Sequence, residues 1–598
     1  MSTTEFTVPV LVVGAGPAGL TASLALRRYG VEHLLVEQYP GTAHTPRAHV
    51  VNQRTVEILR HLGIEDRFHA VATPQPLMRN NLWVTSLAGR EVARSETWGA
   101  GFDRAGDYAA ASPAPMANCP QTVFEPLLLD AAREAGADIR FEHVFESAVA
   151  DRDGVTSVIL NRATGERISV RSQYVLGADG ARSKVLAQAG LGVEGPAGLA
   201  NAVNIWFRAD LSRYLAHRPG VLTWNVMPGP LPPLRLGTLI CHKPFEEFVL
   251  AFTYDPAELD ISTLSEADQI AKIRAAVGDG ELAVELKGTT GWQVNAQVAP
   301  HYSAGRFFCL GDAVHRHPPT NGLGLNMSVA DAFNLAWKLA LVLGGRAGQE
   351  LLDTYSAERQ PVGADGVARA ITSFVEMAEI DKALGYEPGQ SAEDGWAALR
   401  QLDDPGSAGE ARRAALSAAV KLTDYQFNAH GVELGYRYQS TAIVDDRAEQ
   451  NAAEAPVQRD PYLYYTATTR PGARLPHARL ERDRAELSAL DLVDGLRFAL
   501  LTGPGGQGWA DAAAQAGAAC GVPIDVHVIG SADLLDPYGE WAAVREVGPT
   551  GCVLVRPDRH IAWRAERFQP EALADIVHRV LSPGTRAETT TTPHRELT

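Results

Sequence analysis

The chain has 598 residues, 45% of them hydrophobic and 21% charged, with a formal charge of −17. That is the balance of a globular protein with room for roughly three to four domain-sized units. The acidic excess argues against a nucleic-acid face, which needs clustered Lys and Arg, and offers no polybasic patch for anionic lipid.

In chain order, Met1–Phe6 carries no charged-then-apolar leader pattern, and no run approaches a membrane span, since Lys338 interrupts Leu335–Leu343. Val8–Val13 is a continuous apolar run. A Gly-rich turn, a helical pattern to about Tyr29 and an apolar stretch ending at Glu37 follow it. This is a βαβ opening of a parallel sheet. The turn, Gly14-Ala15-Gly16-Pro17-Ala18-Gly19, fits GxGxxG. Gly14 permits the tight turn, Gly16 a close approach of backbone to pyrophosphate, and Gly19 close packing of helix on strand. The helix N-terminus offers its free N–H groups and positive dipole end to phosphate. Glu37 stands where a carboxylate accepts from ribose hydroxyls, which favours FAD or NAD over NADP at this site. A bare GxGxxG is weak evidence; strand, helix and acid together are much stronger.

Two later segments repeat the pattern of an apolar strand running into a Gly/Asp turn. One is Val175-Leu-Gly-Ala-Asp179-Gly-Ala-Arg182-Ser183. The other is Arg306-Phe-Phe-Cys-Leu-Gly-Asp312, followed by Pro318-Pro319-Thr-Asn-Gly-Leu-Gly324 and a helix predicted over Asn326–Leu343. Alone, each is as easily a plain strand end. Between them, Asn204–Leu211, Gly220–Met227, Leu234–His242 and Glu247–Tyr254 read as strands of an antiparallel sheet. After an Ala-, Gly- and charge-rich stretch at 391–419, a compact block runs from about Leu490 to Leu581. A tail at 583–598, with four consecutive Thr, is expected to be disordered. Five scattered cysteines, at 119, 241, 309, 520 and 552, form no CxxC pair, so a cytoplasmic protein with reduced thiols is expected. His315 and His317 with Asp312 do not make a metal site, because no further Cys/His cluster completes one.

The GxGxxG turn, the GADGARS turn and the CLGDAVHRHPPTNGLGLN segment, in this order, resemble the class A FAD-dependent aromatic hydroxylases. PRAHVVNQRTVEIL (46–59), GDAVHRHPPTNGLG (311–324), ELGYRYQS (433–440) and TTRPGARLPHA (468–478) look most like the phenol 2-monooxygenase branch, that of the dichlorophenol and hydroxybiphenyl monooxygenases. The resemblance implies an α/β fold. A Rossmann-like FAD-binding domain would span 1–195 and 299–390, with a substrate-side insertion near 75–110. An antiparallel-sheet substrate domain at 196–298, a helical connection at 391–465 and a thioredoxin-like domain at 466–582 would complete it. That last domain has Gly503-Pro-Gly-Gly-Gln-Gly-Trp509 where thioredoxins place CxxC, so disulfide exchange is not available to it.

By the same resemblance, Gly14, Gly16, Gly19 and Glu37 hold the ADP half of FAD, Arg47 and Gln121 lie beside the cofactor, and Asp312 binds the ribityl chain. Asp179, with Arg182, serves FAD and nicotinamide handling. Backbone N–H groups of Asn326 and Met327 meet the pyrimidine end, where a helix N-terminus stabilises negative charge on reduced flavin. NADPH or NADH is the co-substrate, O2 the oxidant, and a homodimer or higher homo-oligomer the expected state. The implied reaction passes through a flavin C4a-hydroperoxide, a modest electrophile that needs an electron-rich ring such as a phenolate. An unperturbed phenol, with pKa near ~10, needs a base to ionise at neutral pH. His49, two residues after Arg47, matches the position that carries the base in this branch. From position alone, packing beneath the helix predicted from Asn52 is the blander account. Trp224 and Pro319 are candidate walls of the aromatic pocket. The rivals are a flavin oxidase or dehydrogenase that inserts no oxygen, and a non-enzymatic carrier on the same nucleotide fold.

Overall fold

A computed structural model describes residues 4–230, 236–445 and 459–582; the tail expected to be disordered lies outside the described residues. The central strand is Thr4–Val13, whose inner half is fully buried. It runs parallel to Arg167–Gly177 on one side and to His33–Val36 on the other. A continuous Val/Leu run suits a strand covered on both faces. Asp138–Arg140 extends the parallel sheet beyond His33–Val36, and Phe307–Cys309 extends it beyond Arg167–Gly177.

Register brings the motifs together. Val13 pairs with Gly177, and Gly177 with Cys309, so three strands end in one row. The turns that follow them, at 14–19, 178–183 and 310–317, therefore sit side by side at the carboxyl edge of the sheet. That edge is where open α/β sheets bind ligands.

The second sheet has seven strands, in the order Glu285–Val294, Ala200–Arg208, Glu247–Tyr254, Thr238–Lys243, Gly220–Asn225, Asn80–Val84 and Glu91–Glu96. All its pairings are antiparallel except that of Gly220–Asn225 with Asn80–Val84. One face is closed by Ile273, Ala276 and Val277 of helix Glu266–Val277, packed on Leu82, Ile205, Phe207 and Leu250. The other face packs in part on helices Ala378–Leu384, Ala392–Arg400 and Ser407–Leu422, through Trp83 and its neighbours. Of the four strands predicted from the sequence, Glu247–Tyr254 is present with the predicted bounds and the others with shifted ends, the predicted start at Leu234 lying outside the described residues. The first runs Ala200–Arg208 and not to Leu211, because the Asp210 carboxylate accepts the Ser212 N–H at 2.9 Å and turns the chain.

The long helix spans Leu323–Leu343, three residues more than predicted. Gly322, at φ +61, closes the turn Thr320–Gly322 and releases the chain straight into helix, so Gly324 lies inside it. Among the described residues no helix is long and apolar enough to cross a membrane.

The contacts divide the chain into two units, the sheets above lying in the first. Among the described residues the second comprises 337–358, 437–445 and 468–582. Its four-stranded sheet runs Ile524–Val528, Phe498–Thr502, Cys552–Val555, Ile561–Ala565, the first pair parallel and the others antiparallel. Helices Trp509–Cys520 and Pro570–Leu581 pack against each other, which completes the thioredoxin-like arrangement. Within this unit a buried ion cluster ties 337–358 to the sheet: Glu358 accepts from Lys338 Nζ at 2.8 Å and from Arg556 Nη1 at 2.6 Å. No thiol begins helix Trp509–Cys520, and burial pushes the Cys552 thiol up, away from nucleophilic chemistry.

Candidate active site

Two glycines of the first turn are required by packing and one by open space. A Cβ on Gly14 (φ +107) would lie 2.2 Å from the Ala178 carbonyl oxygen, and one on Gly19 would lie 1.9 Å from the Gly14 oxygen. Gly14 thus seats the first turn against the second. At Gly16 the nearest atom is Glu125 Oε1 at 3.9 Å, so backbone there faces room for a ligand. Helix Pro17–Arg28 starts at Gly16 without a side-chain cap, leaving its first-turn N–H groups for an anion. Glu37 accepts the Ala15 N–H at 2.7 Å and the Tyr39 N–H at 3.0 Å, and a carboxylate still has lone pairs for ribose hydroxyls.

Gln121 opens helix Gln121–Glu134 and donates to Glu125 Oε1 at 2.6 Å, while Glu125 Oε2 accepts the Ala43 N–H at 2.6 Å. Glu125 was not singled out in the sequence; it lies one helical turn after Gln121 and ties the 43–47 loop to the cradle. Burial raises its carboxyl, a rise moderated by those two bonds and the nearby charge of Arg47, itself exposed. Asp179 faces its own loop. It accepts from Ser183 Oγ at 2.5 Å and from the Lys184 N–H at 2.7 Å, capping the short helix that follows. Asp312 is exposed on the turn Gly311–Ala313. The buried Asp331 holds that turn, accepting from the Gly311 N–H at 3.0 Å, His315 Nε2 at 2.9 Å and Arg359 Nε at 2.7 Å. Burial opposes ionisation of Asp331, but Arg359 and His315 outweigh it and hold the carboxyl low.

The earlier start of helix Leu323–Leu343 corrects one placement. Its free first-turn N–H groups are those of 323–326, so Asn326 belongs to the turn and the Met327 N–H falls within the helical ladder. The Asn326 side chain is spoken for: it accepts the Asn52 N–H at 3.0 Å and donates to the Val50 carbonyl at 3.0 Å, fixing loop 50–52. Beside this turn, His317 Nδ1 donates to the Pro318 carbonyl at 2.6 Å, and Nε2 is buried without a partner. These donors, the open face at Gly16 and the orphaned imidazole suit a dinucleotide with a polar heterocycle.

On the other side, half-buried His49 presents Nδ1 to Asn118 Oδ1 at 2.9 Å. Asn118 Nδ2 in turn donates to the Cys241 carbonyl at 2.9 Å. A carbonyl can only accept, so the amide is fixed with its oxygen towards His49. The proton must then sit on Nδ1, leaving Nε2 as a lone pair. Burial lowers the imidazole to about 4, so it is neutral at pH 7. Asn52 caps helix Gln53–His61 by accepting the Thr55 N–H, so His49 is not the cap of that helix.

Val50, Met78, Met116, Leu222 and Phe427 form an apolar cluster here, with Trp224 and Ile240 packed on it. Trp224 thus lies on the roof of the site. Pro319 is exposed at the start of turn Thr320–Gly322. His242, missed in the sequence, faces His49 at 5.8 Å between ring centroids. Within the same roof, Trp224 Nε1, His242 Nδ1 and both polar atoms of the Asn81 side chain are buried without a partner among the described residues. Each such group costs about 1–3 kcal/mol unless a ligand or water meets it.

A dinucleotide cradle at one sheet edge, roofed by an antiparallel sheet with a basic lone pair beneath it, defines a flavin-dependent oxidoreductase that acts on a small, partly apolar substrate. Residues 7–370 match the family described as "FAD binding domain", and 468–584 match "Aromatic-ring hydroxylase, C-terminal". The chain is 42% identical over 578 residues to 2,4-dichlorophenol 6-monooxygenase of Delftia acidovorans, covering 96% of this chain and 98% of that one. It is 40% identical to phenol 2-monooxygenase of Pseudomonas sp. strain EST1001, covering 95% and 92%. The crystal structure of the flavin-dependent monooxygenase PieE in complex with FAD and substrate superposes with a TM-score of 0.93 at 51% identity, covering 97% and 100%. The chain belongs to the FAD-dependent aromatic-ring hydroxylases. It is a monooxygenase that uses FAD, with NAD(P)H and O2 as co-substrates.

Proposed function

We propose that the enzyme hydroxylates a phenol ortho to its hydroxyl group, with His49 accepting the phenolic proton. The carrying observation is the Asn118 amide. Pinned by the Cys241 carbonyl, it leaves His49 Nε2 as an acceptor beside the apolar cluster around Val50. The printed names of the relatives point the same way, since the 6-position of 2,4-dichlorophenol and the 2-position of phenol are both ortho.

Bound FAD supplies the activated oxygen, reduced at the expense of NAD(P)H. In this reading Gly14, Gly16, Gly19 and Glu37 hold its ADP half, Arg47 and Gln121 flank it, and Asp312 takes the ribityl chain. The first-turn N–H groups up to Asn326, in place of Met327, meet the pyrimidine ring. Asp179 shapes the second turn through its capping bonds. Trp224 and Pro319 border the aromatic ring. The neutral His49 is a hydrogen-bond acceptor on arrival of the phenol, and the negative charge of a forming phenolate raises its affinity for the proton.

The five cysteines are all free thiols, which suits a cytoplasmic enzyme, and a homo-oligomer is the assembly to test by light scattering. The deciding experiment is a phenol screen on the yellow holoenzyme. Phenol-stimulated NAD(P)H oxidation with a catechol product, identified by mass spectrometry, is the expected result. NAD(P)H consumption without any oxygenated phenol would leave an oxidase.

A further inference from the structure

We propose that His242 is a second hydrogen-bonding residue of the phenol pocket, donating a ring N–H to the same oxygen whose proton His49 accepts. The inference rests on the phenol reading above and extends it to a residue on the opposite wall.

His242 lies on strand Thr238–Lys243, next to Cys241, whose carbonyl pins Asn118. Its ring faces that of His49 at 5.8 Å between centroids, tilted by 38°. The two rings make no hydrogen bond to each other among the described residues. A centroid separation of 5.8 Å is compatible with one oxygen atom hydrogen-bonded to a nitrogen of each ring at an ordinary length of about 2.8 Å. His242 is 4% exposed and its Nδ1 has no partner, which is unusual for an imidazole in a sheet face that could have carried a purely apolar side chain. Trp224 Nε1 and the Asn81 amide, in the same roof, are also without partners, so this wall is built to meet polar atoms that the protein itself does not provide.

Burial, then the neighbouring His49, lower His242 to about 3, so it remains neutral and carries one N–H. The only charged neighbour on its strand, Lys243, is exposed and paired with Glu246. Cys241 is not a competing anion, since burial pushes its thiol up to about 12. The roles are then fixed by what each group can do. Phenol donates its proton to His49 Nε2 and accepts from His242. After transfer the oxygen receives two N–H donors instead of one. The His242 bond strengthens as charge develops on the oxygen, and the second donor appears only on transfer, so both favour ionisation.

Two measurements on the FAD-loaded enzyme test this. In a crystal structure of the wild-type holoenzyme with a fluorophenol bound, the phenolic oxygen should lie within hydrogen-bond distance of both rings; an oxygen out of reach of His242 overturns the proposal. Fluorine NMR of the bound fluorophenol then reads its ionisation. His242→Phe should raise the bound pKa by about 1–2 units, a roughly 10- to 100-fold smaller phenolate fraction, whereas His242→Gln, which keeps an N–H donor, should lie closer to wild type. An unchanged bound pKa in a His242→Phe enzyme that retains its FAD also overturns it. A wild-type enzyme that binds and hydroxylates no phenol would instead overturn the functional reading on which the inference stands.

Discussion

Replacing His49 by Ala isolates the proton-accepting step. An unsubstituted phenol has a pKa near ~10, and burial lowers His49 to about 4, so transfer is uphill by about 8 kcal/mol before the product charges interact. Imidazolium and phenolate about 3.5 Å apart recover about 5 kcal/mol at an effective dielectric of about 20. The remaining ~3 kcal/mol is a step an enzyme can include within its barrier. In the variant the proton must leave to solvent, which costs about 4 kcal/mol at pH 7, and the phenolate loses its partner. Hydroxylation of unsubstituted phenol should therefore fall by at least about fivefold at pH 7, the ~1 kcal/mol difference between the two routes, and towards the 10²- to 10⁴-fold typical of a lost general base. NAD(P)H oxidation should outlast product formation, with peroxide as the difference. The pH profile is diagnostic. Wild type passes the proton internally to a group neutral above pH ~5, so its rate should be flat from pH 7 to 9. The variant depends on phenolate from solvent and should gain about tenfold per pH unit over that range. With a halogenated phenol already ionised at pH 7 the two enzymes should converge. Product formation by stopped quench, at matched FAD content, measures all three. A variant that hydroxylates unsubstituted phenol at the wild-type rate, or whose profile stays flat, refutes the base assignment.

Asn118→Ala frees the His49 ring to exchange tautomers and leaves the Cys241 carbonyl without its donor. A drop in kcat of about 5- to 10-fold at full FAD occupancy is expected, from the loss of about 1 kcal/mol of orientation, and an unchanged kcat counts against the tautomer argument. Gly19→Ala places a methyl 1.9 Å from the Gly14 oxygen, so the purified protein should be colourless; wild-type flavin content would contradict the packing account. Glu433 is buried with Oε2 unpartnered, and burial raises its carboxyl to about 8. Its folded pKa exceeds the unfolded value, so its stabilising effect is complete below pH ~4.5 and is lost as pH rises towards 8. Glu433→Gln should therefore raise the Tm at pH 8, by up to a few kcal/mol of stability, and leave it nearly unchanged at pH 4; equal Tm values at both pH values would exclude the buried acid as the cause.

The βαβ opening, the three turns and the long helix were legible because each is a local pattern: an apolar run followed by closely spaced glycines or by helical periodicity. Their adjacency was not local. It follows from the pairing of Val13 with Gly177 and of Gly177 with Cys309, which only the folded sheet establishes. The resemblance to a known family stood in for that register. The four predicted strands of the second sheet were found, Glu247–Tyr254 with its bounds, but ends of the others moved by a few residues, because turns such as Asp210–Ser212 depend on one side-chain bond that composition does not encode. The helix start was missed for a related reason. Gly322 and Gly324 look alike in sequence, yet only Gly322 takes a positive φ, so the helix begins between them.

The site divided along the same line. Glycines and acids at fixed offsets from a strand end carry their meaning in sequence, whereas His242 sits at the end of a strand with no motif around it. What makes it part of the site is that the Cys241 carbonyl fixes Asn118, Asn118 fixes His49, and the next residue on the strand turns an imidazole to face the result. Glu125 shows the same logic on the cofactor side. It reads as one more polar residue in a helix until its carboxylate is found bridging Gln121 and the Ala43 N–H, with Gly16 opposite. Groups whose role is to hold another group leave little trace in composition, because any residue with the right reach would serve. The corresponding evidence in the fold is an unmet hydrogen-bonding atom or a fixed amide. In the substrate pocket both features converge on the space between His49 and His242. On the proposed reading, a ligand there presents one atom that gives a proton to His49 and accepts a hydrogen bond from His242, which a phenolic hydroxyl does and a ring without one does not.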